Sequence, residues 1–154
     1  MASEEPEHFH FADWVKPGDW ELNIGVNVCH PTFGLSEVIG PRGRVIALEP
    51  VPDTFGLLTA NTARFRYKNV TLVNVAASDA TRIVRMTLPK PRSGLNNNCA
   101  GSISSDADGE ISALSIPVNS LDQPRTIALV ELDVGMNCLR SRACDISSRR
   151  TNRR

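Results

Sequence analysis

Nowhere does the sequence hold the roughly 18 consecutive apolar residues that a membrane span requires. Its opening, Met1 to His10, is acidic and polar, where a secretory leader would be basic and then apolar. Both absences predict a soluble, cytosolic chain. The four cysteines, Cys29, Cys99, Cys138 and Cys144, make no CxxC pair and keep no zinc-like spacing with the three histidines, so reduced thiols and no metal are expected. His8 and His10 form an HxH pair, but on a polar end where solvation is the simpler fate.

What is present is one domain's worth of chain. The 154 residues are 41% hydrophobic, enough for a single core of ordinary size. A net charge of zero conceals an asymmetry. Six arginines and a single acid, Asp145, lie from Gly135 onward, which leaves eleven basic and sixteen acidic residues before it. The expected organisation is a flexible segment over 1–13, a domain over 14–135, and a basic tail over 136–154. The tail is too poor in apolar residues to offset the entropy of ordering it, and no aromatic interleaving accompanies its charge, so nucleic-acid binding is not expected of it.

Between Trp14 and Val134 the apolar pattern keeps a steady rhythm. Trp20, Leu22 and Ile24 alternate with Glu21, Asn23 and Gly25, the period of two that marks a strand. Pro31 suits the start of a helix with Leu35, Val38 and Ile39 on its apolar stripe, and Gly40-Pro41 stops it. Arg44 to Glu49 is nearly all apolar, as in a parallel strand covered on both faces. A second helix over Asp53 to Arg66 places Phe55, Leu58 and Thr62 on one face, and Val70 to Val75 reads as a third strand. This β-α-β-α-β order predicts a doubly wound parallel sheet with helices on both faces.

Beyond it, 82–88 and 111–118 read as half-exposed strands of a small antiparallel excursion, with Pro117 suiting an edge and a long loop over Ser93 to Gly109 between them. Ile127 to Val134 is the last buried-strand pattern. Trp14 and Trp20 are expected to be packing residues.

Open α/β sheets bind ligands outside the carboxyl ends of their strands. Gly25 stands at the first such end, where a missing Cβ lets backbone approach a ligand. Glu49 ends the next strand, at an offset where a carboxylate meets the two hydroxyls of a nucleotide ribose. Asp79 and Asp133 close the later strand patterns, and an acid there must face the open crevice, since burying it unpaired is costly.

Seven strings carry a family resemblance, in order: Val15 to Asp19, Asn23-Ile-Gly-Val-Asn27, Gly40 to Pro50, Asn69 to Asp79, Ser93-Gly-Leu-Asn96, Ile116 to Asp122, and Leu132-Asp-Val134. Together they resemble the FkbM-type methyltransferases over about residues 14 to 135. The resemblance implies a class I Rossmann-like fold that takes S-adenosyl-L-methionine and methylates a hydroxyl of a sugar or other small molecule. It implies that Asn23, Gly25 and Asn27 line the methionine part, Glu49 holds the ribose, and Ser78 and Asp79 flank the adenine. Asp133 matches the acid near the sulfonium, the candidate base for the acceptor's proton.

Other readings are a nicotinamide-dependent oxidoreductase, disfavoured because Gly25-x-x-x-Cys29 lacks GxGxxG spacing, and a noncatalytic module that associates through an exposed sheet edge.

Three departures from the family pattern stand out. Asn23 replaces an acid and Cys29 a glycine; Gly135 to Arg140 replaces a Glu-Gly-helix continuation; and the strands that complete the sheet are not recognisable after Val134, as in a truncated or frame-shifted end. The first departure removes a charge and crowds the turn. Titration calorimetry is therefore expected to give a dissociation constant for S-adenosylmethionine weaker than about 1 μM, and tighter binding refutes the expectation.

Overall fold

A computed structural model describes residues 11–26, 30–88, 102–103, 109–121 and 124–132. The HxH pair, Asn27, Cys29, most of the Ser93 to Gly109 loop, Asp122, Asp133 and the basic tail lie outside the described residues. The element order is α1 (Phe11–Trp14), β1 (Trp20–Ile24), α2 (His30–Ile39), β2 (Arg44–Leu48), α3 (Pro52–Thr62), β3 (Val70–Val73), β4 (Ala76–Ser78), β5 (Arg82–Thr87), β6 (Ser102–Ile103), β7 (Ile111–Pro117), a 3-10 turn (Val118–Ser120) and β8 (Ile127–Leu132). No helix among the described residues is long and apolar enough to cross a membrane.

Two four-stranded sheets form. The first runs β3-β2-β1-β8 and is parallel throughout, with Asn23 level with Ala47 on one side and Glu131 on the other. The second runs β4-β7-β5-β6, with β4 parallel to β7 and the other pairs antiparallel. The apolar run of β2 is buried from Val45 to Leu48, as its composition requires of a strand covered on both faces.

The described helices gather on one face of the first sheet. Leu35 and Ile39 of α2 pack with Phe11, Val15 and Val45, and Leu58 of α3 packs with Ala47 and Phe65. On the other face, Leu22, Ile24, Ile46 and Leu48 meet Ala77 of β4, Ile116 of β7, and Val118 and Leu121 of the turn that follows. So the opposite cover, among the described residues, comes from the end of the second sheet, because its strands bring a row of apolar side chains that the helical periodicity did not reveal.

Several local expectations change. The third strand stops at Val73, and Ala76–Ser78 becomes a strand of the second sheet; Asn74 turns aside to donate its amide to the Glu49 carbonyl at 2.7 Å. β7 is an inner strand, and Pro117 fits it because the β5 pairing ends at Ser115, so no β5 carbonyl awaits its missing N–H. Trp14, on the short helix α1, is 67% exposed, while Trp20 is packed as expected. The largest change concerns β1: the polar alternation of Glu21 and Asn23 does not face water, since both are fully buried under the helical face.

Asn69, buried ahead of β3, ties α2 to the sheet. Its amide donates to the carbonyls of Ser36 at 3.0 Å and Gly40 at 2.8 Å, and its oxygen accepts the Ser36 hydroxyl at 2.6 Å. Two of these bonds satisfy carbonyls at the end of α2, where the chain leaves through Gly40 at φ 66°, the stop read from Gly40-Pro41. Asn69→Ala removes three buried hydrogen bonds, the Ser36 and Gly40 carbonyls keeping the Gly40 and Gly43 N–H groups, and is expected to cost about 3 kcal/mol of unfolding free energy. Denaturant titration reads it as a lower midpoint at unchanged slope.

Candidate functional site

At the carboxyl ends of β1 and β2 the chain turns at Gly25. Gly25 follows β1 with φ 79°, a conformation that favours glycine, and its N–H donates to the Leu48 carbonyl at 2.9 Å. Val26 donates to the same oxygen at 3.4 Å. The backbone thus folds over the end of β2, directly beside Glu49, before α2 begins. Glu49 extends the pairing, its N–H donating to Val73 at 3.1 Å. Its carboxylate is buried and takes the Val51 N–H on Oε1 at 2.8 Å, a bond that fixes its direction at the start of α3.

A polar column runs down the helical face of β1. Asn23 donates its amide to Oε2 of Glu131 at 2.9 Å, across the β1–β8 boundary where the two residues are level. Its own Oδ1, in a residue only 1% exposed, accepts nothing. One pleat repeat lower, Glu21 is 0% exposed and neither carboxyl oxygen has a partner. Burial, reinforced by the negative Glu131, raises the Glu21 carboxyl to about 9, so it is neutral at physiological pH. Thr32, in the first part of α2, is a third buried residue with a side-chain oxygen that lacks a partner.

Of the residues singled out by sequence, Asn23, Gly25 and Glu49 meet at this end of the sheet. Ser78 closes β4, its hydroxyl donating to the Ala80 carbonyl at 2.8 Å and bonded to the Ser115 hydroxyl at 3.0 Å. Asp79 projects into solvent and pairs with Arg82 at 3.0 Å. Asn27 and Asp133 lie outside the described residues. Sequence reasoning missed Glu21 and Thr32, and placed Glu131 only as part of the strand end Glu131-Leu-Asp133. The signal was available: an inner strand of a covered sheet has no wet face, so every polar residue in it is buried. Among the described residues no group of three or more His, Cys, Asp or Glu could hold a metal ion.

An open, parallel sheet with helices packed against it is a fold found among solved methyltransferases. The methyltransferase FkbM of Methylobacillus flagellatus KT shares it, with a TM-score of 0.51 over 77% of this chain and 26% of that one, at 14% identity. Aeropyrum pernix fibrillarin, solved with natively bound S-adenosyl-L-methionine, is similar over 41% of this chain (28% identity, TM-score 0.38, 26% of its own chain). The precorrin-6y C5,15-methyltransferase of Geobacter metallireducens GS-15 is similar over 40% (30% identity, TM-score 0.37, 32% of its own chain). These likenesses concern the fold, and the chain spans only about a quarter to a third of each of those proteins. No family model matches the sequence, and no curated protein matches it.

The neutral Glu21 leaves a signature in stability. Unfolded, it ionises above about 4.5; folded, it keeps its proton to about 9. The unfolded state therefore binds fewer protons across that window, and stability must fall as pH rises through it, by up to about 1.4 kcal/mol per pH unit, levelling off above pH 9. Glu21→Gln, which cannot ionise, is expected to unfold at higher denaturant than the parent at pH 8 and to flatten this slope. A parent whose stability is level from pH 5 to 9 refutes the buried neutral acid.

Proposed function

We propose that this chain is the S-adenosylmethionine-binding portion of a methyltransferase. The observation that carries the reading is the junction of Gly25 and Glu49: a positive-φ turn with no Cβ, folded over the end of β2, beside a buried carboxylate already aimed by the Val51 N–H. The site also has the polar character the cofactor needs, since Asn23 Oδ1 is a buried acceptor in want of a donor.

In this reading Gly25, with Asn23 and Asn27, takes the methionine part, and Glu49 accepts the ribose hydroxyls. Ser78 and Asp79 flank the adenine; Asp79 then exchanges its exposed Arg82 partner, a weak surface pair, for the ligand. Bound, the cofactor supplies a sulfonium whose methyl is ready to leave. The protein's task is to hold an acceptor oxygen in line, exclude water and receive the acceptor's proton, for which Asp133 is the candidate base. The acceptor class favoured by the family resemblance is a hydroxyl of a small molecule or sugar, giving O-methylation.

A second reading, a noncatalytic module that associates along a sheet edge, draws on β8. It closes the described sheet, its apolar residues are only half-buried, and Leu132 is 48% exposed.

Ligand-induced stabilisation separates these readings. S-adenosylmethionine at a hundred times its dissociation constant is expected to add about 2.7 kcal/mol, seen as a raised melting temperature, while NAD adds nothing. Glu49→Ala is expected to abolish most of that shift. Stabilisation by NAD alone favours the oxidoreductase, and a chain that ignores both ligands yet sediments as an oligomer favours the module.

A further inference from the structure

The first sheet has a hollow at its amino end, opposite to Gly25 and Glu49. Because β1, β2 and β8 run parallel, Trp20, Arg44 and Ile127 begin them level with one another. A cavity of about 630 Å³ opens there, lined among the described residues by Pro17, Gly18, Asp19, Arg42 and Arg125. Its size suits a small molecule. The five residues of β1, about 17 Å of strand, separate it from the Gly25 turn.

The walls are fixed by backbone bonds. Gly18, at φ 94°, donates its N–H to the Ile39 carbonyl at 2.8 Å, and the Asp19 carbonyl accepts the Arg44 N–H at 3.1 Å, so the turn ahead of β1 is laced to the turn ahead of β2. These turns pack so closely that a Cβ on Gly43 would lie 2.5 Å from the Asp19 carbonyl oxygen. Arg42 stands on the second turn. Arg125 arrives on the segment that leads into β8, where the register slips: Trp20 is level with Ile127, but Glu21 with Leu129. The slip displaces the segment carrying Arg125 by one residue, the effect by which a bulge re-aims a side chain.

Two guanidinium groups thus line one small cavity, and among the described residues neither forms an ion pair. Asp19, the acid in the lining, is engaged by its own turn, its Oδ2 accepting the Lys16 N–H at 2.8 Å. The lining carries two positive charges against one negative, and an anion between the two cations relieves their repulsion. A carboxylate has two oxygens and fills one guanidinium fork. A tetrahedral phosphate offers oxygens to two forks at once. An extended polyanion needs a stripe of cations, whereas these two are gathered on one concavity.

We propose that this cavity is an anion site, separate from the Gly25 turn, that takes the phosphate group of a small phosphate monoester between Arg42 and Arg125. The inference goes beyond the cofactor reading and stands without it, since S-adenosylmethionine carries no phosphate.

Calorimetric titration of the full chain at constant ionic strength tests the site, with inorganic phosphate, glycerol phosphate and acetate as probes. Both phosphates are expected to bind saturably, one per chain, and about tenfold or more tighter than acetate. Arg42→Gln and Arg125→Gln are each expected to weaken the phosphates by about tenfold to a hundredfold, the worth of a charged hydrogen bond, and both together to abolish saturable binding. Arg42→Lys, which keeps the charge without the fork, is expected to lose most of the same affinity. Arg85→Gln removes an exposed cation from the second sheet and is expected to change nothing. Arg42 and Arg125 are exposed, and melting temperatures check that each variant folds.

Phosphate that gives no saturable heat, or that binds Arg42→Gln and Arg125→Gln as it binds the parent, overturns the site. Equal losses in Arg85→Gln and Arg42→Gln overturn it as well, because net charge alone then governs the affinity. Acetate that binds as tightly as phosphate removes the tetrahedral match. A single-stranded oligonucleotide that binds more tightly than glycerol phosphate, and weakens in the same two variants, overturns the small-molecule assignment in favour of a nucleic acid.

Discussion

The placement of β1 between two parallel partners governs the rest of the molecule. β2 and β8 saturate its hydrogen bonds on either side, helices cover one face, and the end of the second sheet covers the other. A strand so enclosed has no wet side. Its apolar residues, Leu22 and Ile24, fit that situation without adjustment, but Glu21 and Asn23 must enter the interior as well. The two polar residues meet this constraint differently: Asn23 finds Glu131, and Glu21 keeps its proton. The sheet is held by hydrophobic burial, and its polar column is the strained part of that arrangement.

The same enclosure explains why the Gly25 turn forms where it does. Once β1 and β2 are level through Ile24 and Leu48, the chain leaving β1 has to clear the end of β2 at once to reach α2. Gly25 makes that turn at positive φ, and the Leu48 carbonyl holds it by two N–H groups. Among the described residues the turn is therefore anchored to β2. Glu49, Val51 and Asn74 continue the same fastening along the end of the sheet, so backbone and carboxylate are set before any ligand arrives. Such prior ordering lowers the entropy a ligand must overcome.

Much of this was legible in the chain itself. The parallel strands at Trp20, Arg44 and Ile127 followed from their apolar runs, and the stop of α2 from Gly40-Pro41. Gly25 and Glu49 stood out as the residues that follow the first two parallel strands, and the structure places them at the carboxyl ends of β1 and β2. Less legible was the second sheet. Val70 to Val75 looked like one strand, because nothing local marks the point where Asn74 gives its amide to another segment's carbonyl and releases Ala76 to a different sheet. Asn69 likewise gave no hint that it would bind the end of a helix about thirty residues earlier, since its partners are brought to it by folding.

By itself, then, the sequence determined the order of elements, their approximate lengths and the turn at Gly25, all consequences of periodicity and of backbone freedom within a few residues. Tertiary structure alone decided which strands lie side by side, and with that the fate of the charged groups. Whether Glu21 is a wet carboxylate or a buried neutral acid, and whether Asn23 meets a negative partner, depends on β8 returning from more than a hundred residues away to close the other side of β1. Solvation is a property of the assembled neighbourhood, and no local pattern contains it.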